Sequence, residues 1–302
     1  MPLDVTIELR FDRFLLPHTA TRQSAQLTTG VAGVVPRYYE QIAPIYDPFE
    51  RVVRYVLPPG IELDAHVLYT LTLPVASADD EFGFRAFDGA PLLGEGPDGE
   101  EPVRISFLTG TSASGAEPAE PPVPSCEDTF CLAFGGEEPG CELPLSGGCA
   151  AGGCHDDASG EAAMGLELAS VEGFARTARA RVAHGAETGP TTGAAAAASS
   201  RFGMAMPLVD PFRPENSYLV YKLLVAPQAY LPNDEAEDPC SGSRYVAPLD
   251  PELCLSPGPA EIERLYDWFV QGEAMPLVEP SFVRRREVRT LQDFIAAGAS
   301  CP

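Results

Sequence analysis

Positive charge is scarce in this sequence. Its 302 residues include 20 lysines and arginines against 44 aspartates and glutamates, which gives a formal net charge of −24, and Lys222 is the only lysine. The phosphates of nucleic acids and anionic lipid surfaces would be repelled by a chain this acidic. The composition therefore argues against a nucleic-acid partner and against binding to an anionic membrane surface.

Long apolar runs and a recognisable leader are also missing. No segment approaches the roughly 20 apolar residues that a helix needs to cross a bilayer, so the sequence predicts no membrane span. Residues 1–4 lead directly into a strand pattern, without the basic and apolar regions of a secretory leader. We therefore expect either a mature fragment or a start codon that was assigned too late.

No pattern of a hydrolytic or acid–base enzyme is visible. The serines of residues 110–125 are not flanked by glycines as in the G-x-S-x-G nucleophile elbow. We therefore expect a protein that is not an enzyme.

The first 110 residues predict an all-β domain. Apolar and polar residues alternate over residues 5–11, 67–73 and 103–107, which is the period-two pattern of half-buried strands. Further strands are predicted near residues 25–27 and over 51–57. Turns rich in proline, glycine and aspartate separate these strands, and no helical period lies between them, so an antiparallel β-sandwich is expected.

Few side chains of this first domain suggest chemistry. His18 and His66 have no partners at metal-ligand spacing, and both are predicted to lie at the surface or rim. Asp79, Asp80 and Glu81 offer the oxygen ligands that calcium prefers, but a solvated acidic loop is the favoured interpretation.

All eight cysteines follow Ser125. Their density favours an oxidising compartment and hence export to the periplasm, the outer membrane or the cell surface. The first three could be zinc ligands by count, but structural zinc sites use tighter paired spacings, and disulfides are favoured. Apart from Cys149 and Cys154, the cysteines form an even set with fifteen possible pairings, and their connectivity stays open: Cys126, Cys131, Cys141, Cys240, Cys254 and Cys301.

Residues 149–155 read C-A-A-G-G-C-H. Two cysteines followed at once by a histidine is the arrangement that attaches haem covalently: each thiol adds to a vinyl group, and the imidazole binds the iron. Cys149 and Cys154 enclose four residues where the usual spacing is C-x-x-C-H. The alternative is a small disulfide loop beside an uninvolved His155.

The rest of the chain predicts a linker and then helices. Residues 111–125 are small, polar and proline-rich, as in an extended linker, and residues 185–200 are of low complexity. Periodic apolar residues predict four helices in the remainder, which is otherwise rich in long loops: 171–183, 214–224, 259–271 and 286–297.

The order of landmarks in residues 3–110 resembles the bacterial Ig-like domain of surface-layer and other envelope proteins. The resemblance rests on V-T-I-E-L-R-F-D-R-F, P-G-I-E-L-D-A-H-V-L-Y-T-L-T-L, F-D-G-A-P-L and I-S-F-L-T-G. It implies a spacer or adhesion module without chemistry of its own.

Residues 141–302 resemble the cytochrome c-like domains of large bacterial envelope proteins, including the planctomycete-type cytochromes. The pieces that carry the resemblance are the C-H site, G-L-E-L at 165–168, N-S-Y-L-V-Y-K-L at 216–223, an M-P step and the terminal F-I-A-A-G-A at 294–299. The fold class expected is therefore an N-terminal Ig-like sandwich (1–110), a linker (111–125) and a mainly α, cysteine-rich cytochrome c-like domain (126–302).

The resemblance also implies roles for individual residues. Cys149 and Cys154 would anchor haem c through thioethers, His155 would be the proximal iron ligand, and Met275 the sixth ligand. Met206 is the rival sixth ligand, because it also precedes a proline. His184 is a further candidate, but it lies before the low-complexity tract and is predicted to be exposed.

Three function classes follow from these observations. The first is an exported monohaem electron carrier that passes electrons to a redox partner or envelope component. The second is a haem-free, disulfide-stapled structural or adhesive envelope protein. A peroxidase-like enzyme ranks last, since it would need a second haem site and the sequence has one Cys-His pair.

Overall fold

A computed structural model describes residues 1–30, 42–76, 82–114, 124, 155, 165–181, 206–225, 228–229, 257–270 and 283–300. The chain divides into two compact units. Unit 1 consists of Met1–Asp47 and Arg51–Glu120, and unit 2 consists of Pro48–Glu50 and Pro121–Pro302.

The described strands of unit 1 are β1 (Ile7–Arg10), β2 (Gln26–Thr29), β3 (Ala43–Asp47), β4 (Val52–Val56), β5 (Leu68–Leu73) and β6 (Val103–Leu108). They form two three-stranded antiparallel sheets with the strand orders β1-β4-β3 and β2-β5-β6. Short 3₁₀ helices at Pro17–Thr19 and Arg22–Ser24 join β1 to β2.

One hydrophobic cluster receives side chains from both sheets of unit 1. On β5, Tyr69, Leu71 and Leu73 are buried and alternate with less buried neighbours, so one face of the strand lines the cluster. In the other sheet, Leu9 lies opposite Val53 in the register of β1 with β4, and both are buried. The predicted alternation on 67–73 is confirmed, and the strand begins one residue later than expected.

The sequence did not predict β3. This five-residue strand is at the edge of its sheet and contains Pro44, which cannot donate a ladder hydrogen bond. An edge position tolerates that loss. Arg51, expected in the third strand, instead lies in the preceding turn with φ of +54°, so that strand begins at Val52.

The first residues of the predicted linker are bonded to the N-terminal segment. The Leu3 amide donates to the Ser112 carbonyl at 3.2 Å. The amide and hydroxyl of Ser114 each donate to the Asp4 carboxylate at 2.6 Å. Residues 112–114 are therefore held against residues 3 and 4; residues 115–123 and 125 lie outside the described part of the chain.

About half of the described residues of unit 2 are helical. The helices among the described residues of this unit are α1 (Val171–Thr177), α2 (Tyr218–Leu224), α3 (Pro259–Trp268) and α4 (Arg285–Ala296), and a 3₁₀ turn at Pro214–Asn216 precedes α2. Gln228–Ala229 (β7) and Val283–Arg284 (β8) pair in parallel. No helix among the described residues is both long enough and apolar enough to span a bilayer.

Each predicted helix is present, but all four end earlier or begin later than expected, and α4 differs from its predicted bounds by only one residue at each end. Helix α1 stops at Thr177, not at 183, because the chain turns there to pair with another segment. Arg179 bridges Val209 in parallel, and the Ala180 amide donates to the Val209 carbonyl at 2.8 Å. Helix α3 ends at Trp268 where 271 was expected, and α2 proper begins only at Tyr218, after the 3₁₀ turn.

Aromatic contacts join the helices of unit 2. Phe174 of α1 lies 5.8 Å from Phe294 of α4, measured between ring centroids. Phe269 meets Tyr218 and Tyr221 of α2 edge-on at 5.3 and 5.5 Å. Helix α2 is buried almost all round, and α4 buries four apolar side chains: Val288, Leu291, Phe294 and Ile295.

Candidate functional site around His155

Two of the predicted haem-site residues fall in the described part of the chain: His155 and the rival sixth ligand Met206. The side chain of His155 is buried, with 8% of its surface exposed. The ring atom Nδ1 lies 3.0 Å from the carbonyl oxygen of Leu166. Because a carbonyl oxygen only accepts, this contact places the proton on Nδ1 and makes Nε2 the nitrogen that carries the lone pair in the neutral ring.

The main chain of His155 is tied to the same segment. The Leu168 amide donates to the His155 carbonyl at 2.8 Å. The segment 165–168 therefore contacts His155 twice: Leu168 bonds to the backbone of His155, and Leu166 bonds to its imidazole ring. Gly165 opens this segment with φ of +70°, in the left-handed region that glycine adopts without strain.

Helix α1 also contacts this segment, through the hydroxyl of Thr177. Thr177 Oγ1 accepts from the Glu167 amide at 2.9 Å and lies 3.1 Å from the Glu167 carbonyl oxygen. Its distance to the Gly173 carbonyl oxygen, one helical turn back, is 2.8 Å. Thr177 thus joins the last turn of α1 to the segment 165–168, which contacts His155.

The Glu167 side chain adds a second link to α1. Its carboxylate accepts from the Ser170 hydroxyl at 2.8 Å and from the Arg176 guanidinium at 2.5 Å. Ser170 is also the N-cap of α1, since its Oγ accepts from the Gly173 amide at 3.0 Å. A Cβ at Gly173 would overlap the Glu167 carboxylate, so glycine leaves the room that this carboxylate occupies.

Of the other predicted haem ligands, one lies in the described part of the chain, namely Met206. Met206 is buried, with 4% of its surface exposed. Cys149, Cys154, Met275 and His184 lie outside the described residues, as do the six other cysteines. The structure therefore brings the predicted iron ligand His155 to its carbonyl partner and leaves the thioether anchors and the favoured sixth ligand as predictions.

The other candidate metal ligands in the sequence form no cluster within the described part of the chain. His18 and His66 are both exposed, as expected, and His66 lies in a turn with φ of +59°. Asp79, Asp80 and Glu81 lie outside the described residues. Within the described ranges no three histidine, cysteine, aspartate or glutamate side chains are grouped as a metal site.

Two residues of the site had no functional signal in the sequence. Leu166 contributes a backbone carbonyl, which any residue type could supply. The sequence pattern places Thr177 only within a predicted helix, although a threonine near a helix end commonly forms hydrogen bonds with the backbone. The G-L-E-L pattern at 165–168 located the segment, but it did not indicate which atom would face His155.

The comparisons with known proteins give no match: no family model and no curated protein is similar to this chain.

Proposed function

We propose that this chain is an exported monohaem c-type cytochrome-like protein that transfers electrons to a redox partner or envelope component. Cys149 and Cys154 would hold the haem through thioethers, and His155 would bind its iron. Met275 would be the sixth ligand, with Met206 as the rival. The β domain, which resembles Ig-like domains of the envelope, would serve as a spacer.

The observation that carries the proposal is the hydrogen bond from His155 Nδ1 to the Leu166 carbonyl. A metal-binding histidine almost always donates its second ring N–H to a carbonyl or carboxylate, which fixes the tautomer and the ring orientation. Here the donor is the histidine that directly follows a cysteine, at the position where the attachment pattern requires the iron ligand.

The donor set fits a low-spin haem iron. Imidazole and thioether are soft to intermediate ligands, and a methionine ligand favours the ferrous state and raises the reduction potential. Bound haem would supply one-electron redox chemistry at this site. The residues of the chain would fix the imidazole, exclude water through the buried surroundings of His155, and tether the group covalently.

The test is an intact mass and a pyridine haemochrome spectrum of the full chain after export with a c-type maturation system. We expect the mass of one added haem, a reduced α-band typical of thioether-linked haem, and the six other cysteines oxidised. A chain without absorbance, with all eight cysteines in disulfides, would refute the proposal.

Histidine variants assign the proximal ligand. His155→Ala should change the spectrum of the loaded chain, because the iron loses its imidazole. His184→Ala replaces the other histidine that follows Cys154 and should leave the spectrum unchanged. The opposite result would move the ligand to His184.

Methionine variants assign the sixth ligand. Met275→Ala should lower the midpoint potential, since a thioether stabilises ferrous iron. Met206→Ala should leave the potential unchanged and destabilise the fold by about 2–5 kcal/mol, because Met206 is buried. A lowered potential in Met206→Ala alone would exchange the two roles.

The second candidate is a haem-free, disulfide-stapled structural or adhesive envelope protein. Two sequence features favour it: four residues, and not two, separate Cys149 from Cys154, and six further cysteines are available to pair with them. If either of the two is in a disulfide, it cannot form a thioether. The cysteine count in the mass measurement separates the two candidates.

A further inference from the structure

We propose that Thr177 is a positioning residue for the His155 imidazole, and that it acts through the single peptide group between Leu166 and Glu167. The inference rests on the proposed function in one respect, namely that His155 is an iron ligand. The contacts themselves belong to the protein and can be tested without haem.

The two hydrogen bonds lie at opposite ends of one peptide group. Its carbonyl, on Leu166, accepts from His155 Nδ1 at 3.0 Å. Its N–H, on Glu167, donates to Thr177 Oγ1 at 2.9 Å. Since a peptide group is planar and trans, its N–H and C=O point in opposite directions, and holding one fixes the direction of the other.

The Thr177 hydroxyl is itself oriented. It has one proton to donate, and the Gly173 carbonyl oxygen at 2.8 Å is the nearer of its two backbone acceptors. A threonine near the end of a helix commonly donates to the carbonyl four residues before it. With the proton directed there, a lone pair of Oγ1 faces the Glu167 N–H.

The same chain of bonds has an electronic effect on the ring. Donation by a peptide N–H polarises the peptide and strengthens its carbonyl as an acceptor, because consecutive hydrogen bonds are cooperative. A stronger acceptor on Nδ1–H favours the Nδ1–H tautomer and raises the basicity of the ligating nitrogen. Thr177 would therefore influence both the direction and the donor strength of His155.

Thr177→Val tests the inference, because valine keeps the shape of threonine and removes the hydroxyl. Thr177→Ser should keep the wild-type tautomer of His155, since serine retains the hydroxyl at the same place. Ser170→Ala is the matched control. It removes the cap of the same helix and one partner of the Glu167 carboxylate, but it leaves the peptide group between Leu166 and Glu167 untouched.

The first readout is the tautomer of His155 in the full chain without haem, from the ¹⁵N shifts of its ring nitrogens. The pH is set about two units above the ordinary histidine value, so that the ring is neutral. We expect the Nδ1–H form in the wild type and a change of about five-fold in the tautomer ratio in Thr177→Val, which corresponds to about 1 kcal/mol. Thr177→Ser and Ser170→Ala should keep the wild-type ratio.

The second readout is the midpoint potential of the haem-loaded chain. A weaker bond at Nδ1 makes the imidazole a poorer donor, so the potential should rise in Thr177→Val and stay unchanged in Ser170→Ala. If Thr177→Val does not fold, Thr177→Ala removes the same hydroxyl with less bulk, and the same criteria apply.

An unchanged tautomer ratio in the folded hydroxyl-free variant would overturn the inference. A change of equal size in Ser170→Ala would also overturn it, because helix stability would then explain both. If the chain takes no haem, the proposed function fails, and the tautomer measurement still decides the role of Thr177. If haem binds but Thr177→Val behaves as the wild type, the positioning role alone fails.

Discussion

At the scale of single residues, Glu215 shows how burial and charge oppose each other beside α2. Burial raises the pKa of Glu215, while its backbone hydrogen bond and the guanidinium of Arg213, 3.4 Å from Oε1, act in the lowering direction. The folded-state pKa lies above the unfolded one, so the folded chain binds more protons between the two values. Stability contributed by protonated Glu215 is therefore lost as the pH rises through the folded value.

This sign predicts the effect of Glu215→Gln. The variant should have a higher unfolding midpoint than the wild type at neutral pH, and the difference should vanish below about pH 4, where the glutamate is protonated in both states. Thermal unfolding of both proteins at neutral pH and below about pH 4 measures this difference in midpoint. The same replacement at exposed Glu263 separates burial from the loss of one negative charge. A neutral-pH midpoint at or below that of the wild type would show that the Arg213 contact outweighs burial.

The residue scale also marks the limit of sequence reasoning about the site. His155 could be singled out because chemistry ties a histidine to the cysteine before it. Its partner could not, because a backbone carbonyl carries no signature in the sequence. Thr177 lies 22 positions beyond His155 in the sequence and acts on it through a peptide group that belongs to two other residues, Leu166 and Glu167.

At the scale of elements, β5 tests whether the alternation on the strands of unit 1 has energetic meaning. Leu71 faces the cluster shared by both sheets and is almost fully buried, whereas Thr72 is only half-buried. Leu71→Ala should lower the unfolding free energy of the strand by about 2–5 kcal/mol. Thr72→Ala should cost about 1 kcal/mol or less, since it leaves no cavity in the cluster.

Hydrogen exchange of a peptide that covers β5 gives both unfolding free energies in the full chain. Leu71 and Thr72 are neighbours in the sequence, so the two variants alter opposite faces of β5 at nearly the same point along the strand. Equal effects would contradict the assignment of a buried and an outer face to β5.

Elements with a clear period were predicted, and those set by contacts elsewhere in the chain were not. Strands β1, β5 and β6 and the four helices follow from periodicity alone. The edge strand β3 was missed because Pro44 interrupts its pattern, although an edge accommodates proline. The end of α1 was misplaced, because the bridge of Arg179 to Val209 that stops it joins segments distant in sequence.

At the scale of the whole molecule, the sequence predicted a division near residue 110–125, and the chain separates into two compact units with the main boundary after Glu120. The Ig-like and cytochrome c-like assignments of these units stay predictions. They rest on short motifs, and the decisive cysteines lie outside the described residues. What the structure adds to the haem hypothesis is one oriented imidazole.

The net charge of −24 gives a prediction about electron exchange that depends on the haem being present. A strongly acidic protein attracts cations and repels anions, and salt screens both effects over about 8 Å at physiological ionic strength. Reduction by a cationic reagent such as a hexaammineruthenium complex should therefore slow as salt is added. Reduction by an anionic reagent should accelerate, and each change should be about ten-fold or more.

Stopped-flow rates over a range of ionic strengths measure these slopes, and a neutral reductant serves as the control because its rate should not depend on salt. The sign of the slope matters more than the rate, since reagents also differ in driving force. Opposite slopes for the two charged reagents would favour a redox partner with a basic docking surface. Identical slopes would mean that the field at the haem edge does not follow the net charge, and a basic partner would no longer be expected.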